Sequence, residues 1–238
     1  PASTVKMPAA FLALERLHQL GLDKEDVMLN GAGRPPQTPA FGDTSAADGL
    51  PSVAHYIRKI FLVSDNDAYN RLYEFLGQAY FNQALRDKGY DRVRILHRLS
   101  APGYDAVTNR YTNPVTFLRD DALRYHQGEV YSQAYPELGL EEQVRGRGYI
   151  DGAGELVEAP FDFRYKNYVG LRELHDMLQA VLFPEAVPAG RRFDLSEEDY
   201  QFLYRYMSML PRESDYPVYP EDPYYDGYVK FFLLGDNK

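Results

Sequence analysis

Cysteine and tryptophan are both absent from the 238 residues. Without cysteine there is no disulfide framework, no thiolate zinc site and no thiol nucleophile, and this absence suits the cytosol and the periplasm equally. Positive charge is in deficit: 26 Lys and Arg face 35 Asp and Glu, a formal net charge of -9. A surface of that sign repels phosphate backbones on average, so no nucleic-acid partner is expected. Long apolar runs are missing as well. The longest, such as the Phe-Phe-Leu-Leu at 231–234, falls far short of the roughly 18 apolar residues of a spanning helix, and no transmembrane segment is expected.

What is present describes a globular chain, with 45% hydrophobic and 26% charged residues, which excludes disordered and collagen-like readings. Tyr and Phe are abundant, at 21 and 13, and supply packing bodies with polar tips. The chain begins with Pro1 rather than methionine, and no basic region followed by an apolar stretch precedes the folded sequence. Any export signal is therefore expected upstream.

Helical spacing of Phe11, Leu14, Leu17 and Leu20, stopped by Gly21, predicts a first helix over 7–20. Residues 30–50 hold Gly31, Gly33, Pro35, Pro36, Pro39, Gly42 and Gly49 and read as a loop. Helices are expected over 52–62, 67–76 and 78–88, a weak strand over 92–96, and a long irregular loop over 99–114, a kind of loop that is more often functional than accidental. Alternation with turns at Asp120-Asp121 and Asp151-Gly152 predicts small hairpins within 115–130 and 148–158 on an otherwise helical body. Helices are expected again over 171–183 and 197–210, the latter with Ser196 as N-cap and Asp199 at the third helical position. The Pro- and Tyr-rich stretch at 211–225 is expected to wrap the surface. No fixed-period repeat is visible.

Ser3-Thr4-Val5-Lys6 is the one Ser-x-x-Lys of the chain, placed where the first helix begins, so hydroxyl and amine lie one turn apart. A lysine can take a serine proton if burial or nearby cations lower its pKa. By chance alone such a match arises about 0.3 times in this composition. Ser64-Asp65-Asn66 follows 61 residues after Ser3, in a break between two predicted helices. Its random expectation is about 0.03, and demanding a spacing near sixty brings the joint figure below about 0.001.

Through Pro1-Ala2-Ser3-Thr4-Val5-Lys6 and Ser64-Asp65-Asn66 the sequence resembles the penicillin-recognising serine hydrolases, the superfamily of class A β-lactamases and DD-peptidases. The likeness continues through Ala68-Tyr69-Asn70-Arg71-Leu72 and through Arg98-Leu99, which opens a loop closing at Arg110-Tyr111-Thr112-Asn113-Pro114. It covers about the first 115 residues.

The resemblance implies an α+β fold of the β-lactamase/transpeptidase type. In it Ser3 is the acylated nucleophile, Lys6 its proton acceptor, Ser64 a proton relay to the leaving nitrogen, and Asn66 the group that holds the substrate amide. The Ser3 backbone N–H forms half of the oxyanion hole. Asp65 is expected to brace its own loop. The substrate implied is a small-molecule β-lactam or a cell-wall peptide, and the setting periplasmic or otherwise extracytoplasmic.

Two departures stand out. The family's Lys-Thr-Gly motif has no match here. From that and the scarcity of strands, the chain is expected to be a single catalytic domain truncated at both ends and lacking most of the core sheet. It would comprise a helical part at 1–114, inserted hairpins at about 115–160 and further helices at 171–238. The second departure is in the loop after Arg98-Leu99, where the family carries a deacylating glutamate. No Glu occurs between Glu74 and Glu129, which leaves Asp105 as the candidate deacylation carboxylate, with a turn residue after Pro-Gly as its plainer reading. A DD-peptidase or esterase using the same residues is the alternative enzyme, and a non-catalytic binding protein of the same fold the alternative class.

His18, His55, His97, His126 and His175 show no metal-ligand spacing. The short Gly-x-Gly stretches at 31–33 and 146–148 lack the strand and third glycine of a dinucleotide site. Asp151-Gly152-Ala153-Gly154 lacks the ligand series of a calcium loop. No metal and no cofactor are expected.

Overall fold

Small side chains set the centre of the molecule. Helix α1 (Lys6–Leu20) buries Ala9, Ala10 and Ala13 as completely as Phe11, Leu14 and Leu17, so neighbours close on it from more than one side. Those neighbours are α2 (Val53–Val63), α3 (Asn66–Leu76) and α4 (Gln78–Asp87). The computed structural model describes residues 2–230, so Pro1 and the apolar run at 231–234 lie outside the described residues.

Local chemistry explains the helix boundaries. Ser52 Oγ accepts from the His55 N–H at 3.0 Å and Asp65 Oδ1 from the Ala68 N–H at 2.8 Å, each satisfying a helix-start donor that would otherwise lack a partner. Gly77, at φ +70°, ends α3 and starts α4, a conformation that a Cβ would strain. Two helices complete the set, α5 (Leu171–Leu182) and α6 (Glu197–Ser208). The start of α6 carries the predicted capping box between Ser196 and Asp199.

Strands are short: β1 (Val27–Asn30), β2 (Val93–Arg94), β3 (Tyr111–Thr112), β4 (Val115–Arg119), β5 (Ala122–Gln127) and β6 (Val130–Tyr131) come first. After them come β7 (Val144–Arg145), β8 (Tyr149–Ile150), β9 (Leu156–Val157), β10 (Phe161–Asp162) and β11 (Tyr168–Val169). β1, β4 and β5 form an antiparallel sheet in which Met28 faces Phe117 across the register, both fully buried against the helices. The other strands join in antiparallel pairs: β2 with β11, β3 with β6, β7 with β10 and β8 with β9.

The fold is mixed helix and small antiparallel sheets, which agrees with the α+β class. Three expectations need correction. The hairpin at 115–130 turns at Asp120-Asp121 with both residues at positive φ, as expected, but it is not a free-standing addition, because β1 pairs along its other edge. Four residues with only Met28 and Asn30 fully buried gave β1 no legible period. The loop at 99–114 contains a 3-10 turn, Thr108–Arg110, and strand β3. Among the described residues the last helix ends at Ser208, and only the short turn Pro211–Glu213 follows. Pro217, Pro220 and Pro223 withhold the N–H donors a further helix needs.

Candidate active site

The 3-10 turn Ala2–Val5 runs directly into α1, which leaves Ser3 exposed and plants Lys6 in the interior with 2% of its surface exposed. Opposite, α2 ends at Ser64 in a left-handed conformation, φ +57°, and α3 begins two residues later at Asn66. This reversal turns both Ser64 and Asn66 toward Lys6. Lys6 Nζ lies 3.1 Å from Ser3 Oγ, 2.8 Å from Ser64 Oγ and 2.7 Å from Asn66 Oδ1, and it also donates to the Ser64 carbonyl. The four residues singled out from the sequence thus share one nitrogen.

Of that nitrogen's four oxygen neighbours the Ser64 carbonyl and Asn66 Oδ1 can only accept, whereas the Ser3 and Ser64 hydroxyls can also donate. A neutral amine donates twice and accepts once, so one serine hydroxyl can point its proton at the lone pair. Electrostatics push the same way. Burial lowers the Lys6 pKa to about 8, with the Asp65 charge opposing the shift. The pull of Asp65 is weakened because Lys59 Nζ stands 3.7 Å from its Oδ2 and 2.8 Å from Asp43 Oδ2.

The loop after Arg98 closes over the second motif. Asn66 Nδ2 donates to Ser100 Oγ at 2.9 Å. Asn70 clamps the next residue back, accepting from the Leu99 N–H at 2.7 Å and donating to the Leu99 carbonyl at 2.9 Å. Beneath them Glu74, 2% exposed, takes Arg98 Nε at 2.9 Å, Arg71 Nη1 at 3.2 Å and Asn30 Nδ2 at 3.0 Å. Arg98 Nη2 donates to Asn113 Oδ1 at 3.0 Å, which draws the two ends of the loop together. A cavity of about 240 Å³ opens beside Asn66, with Ser100, Tyr104 and Arg98 among its walls.

Asp105 stands apart from this cluster. It is exposed, and its Oδ1 accepts from the Val107 and Thr108 N–H groups and from Thr108 Oγ1. The Thr108 amide, Thr108 hydroxyl and Val107 amide hold its carboxyl below the usual range. It caps the turn Thr108–Arg110, the role that Pro-Gly before it suggested. Sequence reasoning passed over Ser100 and Glu74 as members of the site. Glu74 had a signal in its helical spacing from Arg71, whereas nothing in Ser100 beyond its place in the loop marked it.

Among the described residues no helix is long and apolar enough to cross a membrane. No curated protein matches the chain. Residues 1–135 match the model of a family described as the beta-lactamase enzyme family, Beta-lactamase2, and that match spans more than half of the 238 residues. Such membership points to hydrolase chemistry of the serine type on a small-molecule substrate. The chain belongs to the beta-lactamase enzyme family, within the superfamily of serine β-lactamases and penicillin-binding proteins.

Proposed function

We propose that the protein transfers acyl groups through Ser3, with a β-lactam or a related cell-wall amide or ester as donor. The observation that carries the reading is the Lys6 amine held between the Ser3 and Ser64 hydroxyls at 3.1 and 2.8 Å. Lys6 Nζ takes the Ser3 proton as Oγ bonds to the substrate carbonyl carbon, and the negative charge passes to the carbonyl oxygen. The Ser3 backbone N–H supplies half of the oxyanion stabilisation. When the intermediate collapses the C–N bond breaks, and Ser64 hands a proton to the departing nitrogen and regains one from Lys6. Asn66 offers its Nδ2, now on Ser100, to the substrate amide. An extracytoplasmic setting belongs to the same reading, since cell-wall substrates lie there.

One observation favours a peptidase-like or esterase-like variant in which the acyl-enzyme persists. Deacylation needs a general base for water. The loop's Asp105 is committed to its turn with a lowered pKa, which makes it a weak base, and Glu74 is locked between Arg98 and Arg71.

The test is to incubate the full chain with a fluorescent penicillin, locate the adduct by mass, and follow a chromogenic cephalosporin. A covalent adduct on Ser3 that Ser3→Ala abolishes is expected, with slow turnover. Fast turnover would identify a β-lactamase and overturn the slow variant. No adduct in folded protein, or equal labelling of Ser3→Ala, would overturn acyl transfer and leave a binding protein of the same fold.

A further inference from the structure

The buried arginines of the helical half share a carboxylate: Arg98 and Arg71 both meet Glu74. Arg94 does not. It lies on β2 opposite Tyr168 of β11 and is 2% exposed. Its Nη1 donates to Tyr135 Oη at 2.9 Å, and its Nη2 to Gln143 Oε1 at 3.2 Å and to the Phe163 carbonyl at 3.1 Å. All three acceptors are neutral, and Nε is buried with no hydrogen-bond partner at all. A guanidinium cannot shed its proton. An unpaired charge and an unused donor are therefore held in the interior, an arrangement that is costly unless an anion completes it.

Arg94 lines a cavity of about 620 Å³, a size that suits a small molecule, together with the exposed Arg92 and the apolar faces of Leu140 and Phe163. Most of this lining falls at 139–168, outside the residues 1–135 that match the family. We propose that the cavity binds a small organic monocarboxylate, its carboxylate beside the Arg92 and Arg94 guanidinium groups that line one wall and its apolar body against Leu140 and Phe163. A single negative charge matches the one uncompensated interior guanidinium. A phosphate dianion would set its second charge against Glu141 and Glu142, which line the same cavity. Of these only Glu142 is offset, by Arg145 at 2.5 Å.

The experiment titrates the full, nitrogen-15-labelled chain with sodium benzoate at constant ionic strength, with benzamide, inorganic phosphate and chloride in parallel, and follows arginine Nε–H resonances. The Arg94 Nε–H resonance is expected to shift saturably with benzoate, to stay in place with benzamide, and to need at least about tenfold more phosphate. Arg94→Lys keeps the charge and loses the planar fork, and benzoate binding should weaken by about tenfold or more. Should that variant fail to fold, Arg92→Ala, a change at an exposed position, should still weaken benzoate several-fold. No saturable shift at millimolar benzoate would overturn the proposal. So would an equal response to chloride and phosphate, which would mark an unspecific counter-ion site, or to benzamide, which would mark an apolar hole.

Discussion

The helical half of the molecule buries Tyr56, Tyr69, Tyr73, Phe75 and Phe81 to 1% exposure or less, whereas the strand-rich segment at 144–165 leaves Val144, Ile150, Leu156 and Phe163 exposed by 46 to 63%. The first region has helices of 10 to 15 residues that share one core with the sheet of β1, β4 and β5. The second has two-residue ladders, tied by turns such as Asp151 Oδ1 to the Ala153 and Glu155 N–H groups and by ring contacts such as Tyr149 on Phe161 at 4.8 Å. Strand pairs this short cannot bury a continuous apolar face. Ser3, Lys6, Ser64 and Asn66 all sit on the well-buried half, at the ends of helices whose bodies are fixed by packing. A reaction that needs atoms held to a fraction of an ångström belongs on such elements, and unequal burial implies unequal local stability.

The sharpest way to break this comparison is to remove the carboxylate beneath the loop. Glu74→Ala leaves Arg98 and Arg71 buried without their shared counter-charge, and a loss of about 3–5 kcal/mol is expected in urea denaturation. A loss below about 1 kcal/mol would mean that the loop, and not the helices, carries the stability of this half. Asn82→Ala comes next. The Asn82 amide accepts from the Ile95 N–H at 2.8 Å and donates to the Ile95 and Gln78 carbonyls, each at 2.7 Å. Truncation leaves those groups unsatisfied in a dry interior, and should cost about 2–3 kcal/mol on the same denaturation curve.

Lys6 allows a finer test. With its pKa lowered to about 8 by burial, the amine is protonated below that pH and cannot accept from Ser3. Acylation of Ser3 is expected to rise about tenfold per pH unit below 8 and to level off above it, a step of about 1.4 kcal/mol per unit. Stability has a definite sign as well. Between pH 8 and the ordinary lysine value of 10.5 the unfolded chain binds more protons at this site than the folded one, so stability rises with pH across that window. Lys6→Met should remove both the kinetic step and this stability slope. A labelling rate that stays flat from pH 6 to 9 would detach Lys6 from the chemistry.

The helical half was also the more legible in sequence, for the same physical reason. Phe11, Leu14 and Leu17 advertise α1 through spacing, and Ser52, Asp65 and Ser196 mark helix starts through side chains that bond locally. Ser3, Lys6, Ser64 and Asn66 were readable because each pair is close in sequence and the two pairs recur at a family spacing. Strand β1 was not readable, since four residues acquire meaning only from β4, more than eighty residues away. The bonds from Glu74 to Arg98 and from Asn66 to Ser100 are likewise long-range. Asp105 shows the converse: a carboxylate at a suggestive position whose nearest donors, at Val107 and Thr108, claimed it for a turn.

The smallest expected effect probes the other half. Leu156 on β9 faces Ile150 on β8 across the register, and the two are 62% and 63% exposed. An exposed apolar cross-strand pair is worth a few tenths of a kcal/mol, and threonine, which is β-branched, suits a strand. Leu156→Thr should therefore move the denaturation midpoint by no more than about 0.5 kcal/mol and leave the Ser3 labelling rate unchanged. The size of the effect discriminates because an exposed leucine has little hydrophobic burial to lose, whereas one covered in solution would lose about 2 kcal/mol. A loss of that order would mean that the apolar face of this hairpin is covered, and the contrast between the two halves would then be one of partners rather than of packing.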